Sequence, residues 1–267
     1  MNLKSGLDSS VIVQDYTMSL SLQDIAPPTS RMLNSSEIGM NGLAIALIII
    51  LTWAISLGLL LTVVNVSQIA LPWKAIALLW QTFLYTGLFI TAHDAMHGVV
   101  LPKQVKINAA IGSFALLAYG LFSYKQLLES HLNHHRYPAS DLDPDFHNSK
   151  STGAIGWYFC FMQRYWSWWR FLGLVIIFCI LHSLFHIPGI NLILFWIVPS
   201  LMSSIQLFYF GTFLPHRKPD AGYADSFRAQ STYLPLFWSF LTCYHFGYHH
   251  EHHQYPNLAW WQLPKAI

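Results

Sequence analysis

Four stretches of this 267-residue chain, 41–64, 71–92, 168–187 and 190–214, are each apolar enough and long enough to cross a bilayer, which takes about 20 residues. Hydrophobic residues make up 54% and charged residues only 10%, against about 25% charged in an average soluble domain. The pattern predicts an all-α integral membrane protein with four transmembrane helices.

A further run, INAAIGSFALLAYGLF from Ile107 to Phe122, contains glycine and is short for a crossing. It is expected to be a re-entrant or interfacial segment. The alternative, a fifth full span, would put the later histidines on opposite faces of the membrane. Residues 1–40 are polar and Ser-rich, lack the apolar core of a secretory signal, and read as a mobile, uncleaved tail before one catalytic domain over 41–267. Cys160, Cys179 and Cys243 are odd in number and contain no CxxC, so they read as ordinary buried thiols rather than a disulfide framework or thiolate zinc site.

A net charge of +2 gives no argument for nucleic acid; the placement of the basic residues is more informative. With four spans and both termini inside, Lys4, Arg31, Lys103, Lys106, Lys125, Arg136, Lys150, Arg164, Arg170, Arg217, Lys218, Arg228 and Lys265 all fall on the cytoplasmic side, and only Lys74 falls outside. This asymmetry favours the dipping reading of 107–122.

The same topology sorts the fourteen histidines. In TAHDAMHG, His93 and His97 stand four apart where the second span reaches the cytoplasm, which on a helix puts both imidazoles on one face. In HLNHHRYP, His131, His134 and His135 follow an i, i+3, i+4 pattern, and His249, His252 and His253 repeat it in HFGYHHEHH, with His245 one turn earlier if the helix is continuous. His250 points about 100° away. His216, in GTFLPHR, stands where the fourth span exits on the same side. By contrast His182 and His186 lie at the outer end of the third span and read as interfacial packing.

Ten imidazoles exceed what one metal uses, whereas two metals with about five nitrogens each accommodate them. Imidazole suits iron, copper or zinc, and structural zinc sites usually close with four ligands that include Cys. A dinuclear iron centre is the preferred reading, with no side chain assigned as a separate acid or base. Asp94, Glu129, Asp141, Asp143, Asp145 and Glu251 flank the clusters and are candidates to orient the ligands by accepting their second ring N–H. His147, in DLDPDFH, reads as loop or outer shell.

Boxes of the form HxxxH, HxxHH and HxxHH around four spans resemble the membrane fatty acid desaturase and hydroxylase superfamily. More narrowly, AHDAMHG, HLNHHRYP with DLDPDFH, GTFLPHR and CYHFGYHHEHHQYPNLAWWQLP resemble the bacterial β-carotene ketolases. The resemblance covers most of the chain after residue 40. It implies two iron ions held by His93, His97, His131, His134, His135, His249, His252 and His253, with O2 as co-substrate. A further superfamily ligand pair is often Asn or His four residues before a His; here those positions are Thr212 and His216, leaving one slot for His245 or a water.

The implied reaction introduces a keto group at C4 of a β-ionone ring, converting β-carotene through echinenone to canthaxanthin. Hydroxylated carotenoids are possible further substrates. Ring C4 is allylic, its C–H is beyond any protein acid or base, and two oxidations at that carbon give a geminal diol that loses water to the ketone. No flavin, haem or nicotinamide motif is recognisable, so an external electron donor such as a ferredoxin is implied. The polyene must enter from the lipid bilayer. Trp157–Trp169 reads first as an interfacial aromatic belt. Phe114, Tyr119, Phe122, Phe208 and Phe210 are candidates for the substrate tunnel, and Trp260 and Trp261 for a cover over the site. A carotenoid hydroxylase or fatty acid desaturase would use the same metal logic. A divalent-metal transporter fits less well, because the histidines gather at one end of the spans rather than near mid-depth.

Overall fold

The computed structural model describes residues 35–147 and 151–267, and among these residues every regular element is helical. In chain order they are α1 (Ser35–Thr62), α2 (Leu71–Met96), α3 (Val105–Gly120), α4 (Tyr124–Arg136), α5 (Ala154–Arg164), α6 (Trp168–Ser183), α7 (Gly189–His216), α8 (Leu236–Cys243) and α9 (His249–Gln254). Within α7 two π turns occur, Ile193–Ile197 and Tyr209–Phe213. The expected tail at 1–40 lies outside the described residues up to position 34, and α1 already begins at Ser35.

Among the described residues three helices are long and apolar enough to cross a membrane: α1 from Met40, α2 and α7. The expected span at 168–187 differs, because α6 has only 16 residues and meets α5 at a bend of 87°. At 1.5 Å per residue such a helix is about 24 Å long, short of the ~30 Å hydrocarbon core. The segment expected to dip is α3, also 16 residues, which turns through 100° into α4. Counting each bent pair as one span gives up to five crossings.

The α3–α4 bend has a local cause. Leu121 adopts a left-handed conformation (φ 58°) that ends α3, and Ser123 then caps α4 by accepting the Gln126 N–H. Likewise Ser167 accepts the Arg170 N–H at the start of α6.

Helix α2 is the axle, packing against α1, α3, α4 and α7. Tyr85, Leu88, Ile90 and Ala92 on it are fully buried, whereas α1 turns Ile48, Leu51, Ile55 and Leu59 outward, as a lipid-facing stripe requires. Polar bonds fix α2 against α7 inside the apolar core. Thr86 Oγ1 lies 2.9 Å from Ser203 Oγ and 2.7 Å from Gln206 Oε1, and the Gln206 amide donates onward to the Thr242 carbonyl of α8. Such interhelical bonds contribute about 0.6–2 kcal/mol each in apolar surroundings. At one end of the bundle, Asn191 donates to the Leu60 and Val64 carbonyls (2.9 and 2.8 Å), satisfying the open end of α1. At the end of α2, the Ala95 carbonyl accepts from Asn108 (2.6 Å) and from the Tyr124 hydroxyl (2.8 Å), fixing the turn that carries His93 and His97.

Gly112 makes that junction possible. A Cβ there would meet the Tyr124 ring and stand 2.8 Å from the Ala95 Cβ. Gly112→Val is therefore expected to cost about 1–3 kcal/mol by overpacking, read as a lower unfolding midpoint in detergent. Gly58→Ala, with open space around its Cβ, should leave the midpoint unchanged or raise it.

All three cysteines are thiols, but only Cys243 is buried; Cys179 is exposed because α6 buries no residue, which corrects the expectation for that position. The aromatic belt also needs correction. Trp166, Trp168 and Trp169 face outward, but Trp157 is 1% exposed and its indole N–H donates to the Asp145 carbonyl at 2.8 Å.

Candidate metal centre

The C-terminal end of α2, the helix α4, the end of α7 and the short α9 converge, and nine of the ten expected histidines form two groups there. His93, His97, His131, His135 and His252 make one; His134, His216, His249 and His253 make the other; in each, the candidate ligand nitrogens lie within 4.8 Å of one another. The helical spacing explains the partition. In α4 the i, i+4 pair His131 and His135 serves the first group and the odd residue His134 the second. In α9 the pair His249 and His253 serves the second group and the odd residue His252 the first. Each HxxHH box therefore contributes to both groups.

Ring orientation is set from outside. His134 donates its Nδ1–H to both oxygens of Asp143 at 3.0 Å, and His216 donates its Nδ1–H to the Arg228 carbonyl at 3.0 Å. Both are thereby left with a lone pair at Nε2 facing the second group. Neighbouring Nε2 atoms stand close: His97 to His131 at 2.6 Å, His135 to His252 at 3.0 Å, His134 to His253 and His249 to His253 at 3.2 Å. His93 is 4% exposed and neither of its ring nitrogens has a hydrogen-bond partner; the same is true of His216 Nε2. Converging buried ring nitrogens of this kind fit a metal cation.

Burial, reinforced by the neighbouring imidazoles, holds His249, His252 and His253 well below the ordinary histidine pKa and His97 down to about 3. These rings are thus neutral at pH 7, the form that binds metal.

His245 does not join either group. The expectation of one continuous helix from 245 to 253 fails because α8 ends at Cys243 and both Tyr244 and His245 are left-handed (φ 49° and 60°). The His245 ring lies over Trp260, with Nδ1 hydrogen-bonded to Ser239 Oγ at 3.1 Å. His250 is turned outward to Asp225 (2.7 Å), and His182, bonded to the Ile187 carbonyl, is exposed, as is His186. His147 packs on Trp157, apart from both groups.

The acids divide as well. Asp143 stands directly behind His134, and Asp145 lies 4.0 Å from the same Nδ1. Asp94 Oδ1 is 3.6 Å from His93 Nδ1, and its other oxygen accepts the Trp260 N–H, which ties the C-terminal segment to α2. Glu251 accepts from the Ser231 and Tyr233 hydroxyls rather than from a ligand ring. Glu129 and Asp141 are exposed.

A pocket enclosing about 660 Å³, its open mouth included, reaches His93 and His131. Of the aromatic residues expected along a tunnel, Tyr119 and Phe122 line it; Phe114 faces outward, while Phe208 and Phe210 are packing residues. Phe161, Met162 and Tyr165 from the end of α5 complete the wall. Trp157, Phe161, Arg164 and Tyr165 follow i, i+4, i+7, i+8, so one inward face is legible within the aromatic stretch. In the sequence Arg164 is only one charge among those that set topology; in the structure its guanidinium donates to the carbonyls of Asp143, Pro144 and Phe146, clamping the DLDPDFH loop.

A sequence profile of the fatty acid desaturase family matches residues 67–168 and 151–266. A β-carotene ketolase of Paracoccus sp. (strain PC1) is 44% identical over 186 residues, 69% of this chain and 75% of that one. A β-carotene ketolase of Haematococcus lacustris is 41% identical over 68% of this chain and 58% of its own length. A zeaxanthin 4-ketolase of Chlamydomonas reinhardtii is 36% identical over 85% of this chain and 53% of that one. The profile covers the whole histidine-bearing region, and these relatives match 68–85% of the chain, so the chain belongs to the fatty acid desaturase family, in its β-carotene ketolase branch.

Proposed function

We infer that the chain is a membrane-embedded, O2-dependent carotenoid 4-ketolase, residues 41–267 forming its catalytic domain, with His93, His97, His131, His135 and His252 holding one iron ion and His134, His216, His249 and His253 holding the other. The observation that carries this reading is two all-imidazole groups, the first of which reaches an apolar pocket through His93 and His131. Bound there, the two irons supply with O2 the oxidising power that an allylic C4–H requires.

The side chains of the protein do the rest. Phe89, Phe122 and Leu127 give the pocket an apolar wall that takes a β-ring and excludes water, and His93 and His131 form its floor. The relatives act on β-carotene and zeaxanthin by name, which supports a β-ring carotenoid entering from the bilayer, hydroxylated or not. Two oxidations per ring consume two O2 and four electrons in total. The electrons come from an external one-electron carrier such as a ferredoxin, for which exposed Arg136 beside the second box is a docking point. The distribution of basic residues supports placing both termini and the histidine-rich end on the cytoplasmic side.

Pigment analysis of β-carotene-producing cells that express the chain tests the assignment. Mono- and diketo carotenoids are expected. Hydroxylated pigments alone would make it a hydroxylase, and no new pigment from folded, iron-loaded protein would end the carotenoid assignment.

A further inference from the structure

β-Carotene has no polar atom, yet its pocket contains a carboxylate. Asp145 lines the same cavity as His93 and His131, and Tyr165, which donates its hydroxyl proton to Asp145, lines it beside the acid. Otherwise the wall is mostly apolar, with Phe89, Met96, Phe122 and Leu207 facing the cavity. Placing a carboxylate in such surroundings is costly unless it is used.

Orienting the ligands does not account for it. The ring N–H of His134 is already accepted by Asp143 at 3.0 Å, whereas Asp145 stands off at 4.0 Å. Nor does holding the loop require the side chain. Arg164 and Trp157 fix the backbone from Asp143 to Phe146 through its carbonyl groups, and the Asp145 N–H is accepted by Asp143 at 2.8 Å. The loop thus holds Asp145 in a set position in the cavity wall.

We propose that Asp145 and Tyr165 form a hydroxyl-recognition site that retains the 4-hydroxy ring made in the first oxidation, so that the second takes place on the same carbon. This rests on the ketolase reading. In the first round C4–H2, O2, two electrons and two protons give C4–H(OH) and water, the electrons coming from the reduced one-electron carrier. The hydroxyl then donates to the Asp145 carboxylate, with Tyr165 holding that carboxylate in place, and the remaining C4–H is kept toward His93 and His131. A second O2, two more electrons and two protons give the geminal diol and water, and the diol loses water to the ketone. The pair thus decides whether the protein delivers a ketone or an alcohol.

The test is the ratio of 4-hydroxy to 4-keto pigment at matched β-carotene consumption, in cells expressing wild type, Tyr165→Phe or Phe159→Leu, with iron content measured for each. Tyr165→Phe should raise the ratio about tenfold or more, the worth of one hydrogen bond to a carboxylate, while Phe159→Leu, an apolar change on the outward face of α5, should not. An unchanged ratio in iron-loaded Tyr165→Phe, or an equal shift in Phe159→Leu, overturns the proposal. A second measurement needs only wild-type membranes: 4-hydroxy-β-carotene should compete with β-carotene about tenfold better than its 4-methyl ether, which lacks the proton to donate. Equal competition by alcohol and ether overturns the proposal while leaving ketolation intact, whereas wild type that makes no ketone removes the reading on which it rests.

Discussion

Replacing His252 with alanine is expected to abolish ketone formation and lower bound iron, whereas His250→Ala, two positions away in the same box, leaves both as in wild type. His252 is 1% exposed, with its Nε2 3.0 Å from that of His135 and its ring packed on His93 and His97 at 4.5 and 4.8 Å. It is the single residue that α9 contributes to the five-membered group. No neighbour can replace it, because His249 and His253 belong to the second group. Loss of an orienting partner alone costs about 10–100-fold in metal affinity or activity, and loss of a ligand costs at least as much. His250 instead donates to Asp225 at a partly exposed site, and His182 donates to the Ile187 carbonyl far along the chain. Iron per folded protein and extracted pigments, compared across His252→Ala, His250→Ala and His182→Ala, decide the matter. Equal iron loss in all three would mean that these histidines support the fold and that the two groups are not the metal centre.

The contrast between His252 and His250 is legible in the sequence, because helical spacing alone separates successive residues by about 100°. The apolar runs give α1, α2 and α7 to within a few residues for the same reason: length and composition dictate a spanning helix locally. The bends are harder to read. Whether a 16-residue apolar helix crosses or turns depends on the conformation of the residue that ends it, and at α3 that is a left-handed Leu121, a residue whose type gives no sign of such a conformation. His245 shows the same limit. Extending a helix backward across Phe246 and Gly247 places it among the ligands, but the chain turns there and the ring packs on Trp260. The division of the histidines into five and four is also out of reach, since it depends on how α4 and α9 lie against each other. Periodicity within a helix is local; the face that meets a partner is not.

Asp143→Asn is expected to weaken iron retention at the four-membered group about 10–100-fold while preserving the fold. Asp143 is 2% exposed and fully employed: it accepts the His134 Nδ1–H with both oxygens, the Ala139 N–H at 2.9 Å and the Asp145 N–H at 2.8 Å. Burial alone would push its pKa up, but His134 and these hydrogen bonds outweigh burial and hold it below the ordinary carboxylate value. It is therefore a carboxylate accepting from all sides. An asparagine has the same shape but one oxygen in place of two, so its NH2 must face a backbone N–H or the imidazole N–H. In either case one donor loses its acceptor and His134 loses the two-oxygen grip that fixes its tautomer and raises its basicity. His134 is the one residue that α4 contributes to the second group, as His252 is the one that α9 contributes to the first. Chelator challenge should therefore remove iron from Asp143→Asn faster than from wild type and stop near half of the full content, with ketone formation falling in step. Iron lost from both groups together would mean that the two are filled as one unit, and full retention would mean that Asp143 serves the loop rather than the ligand.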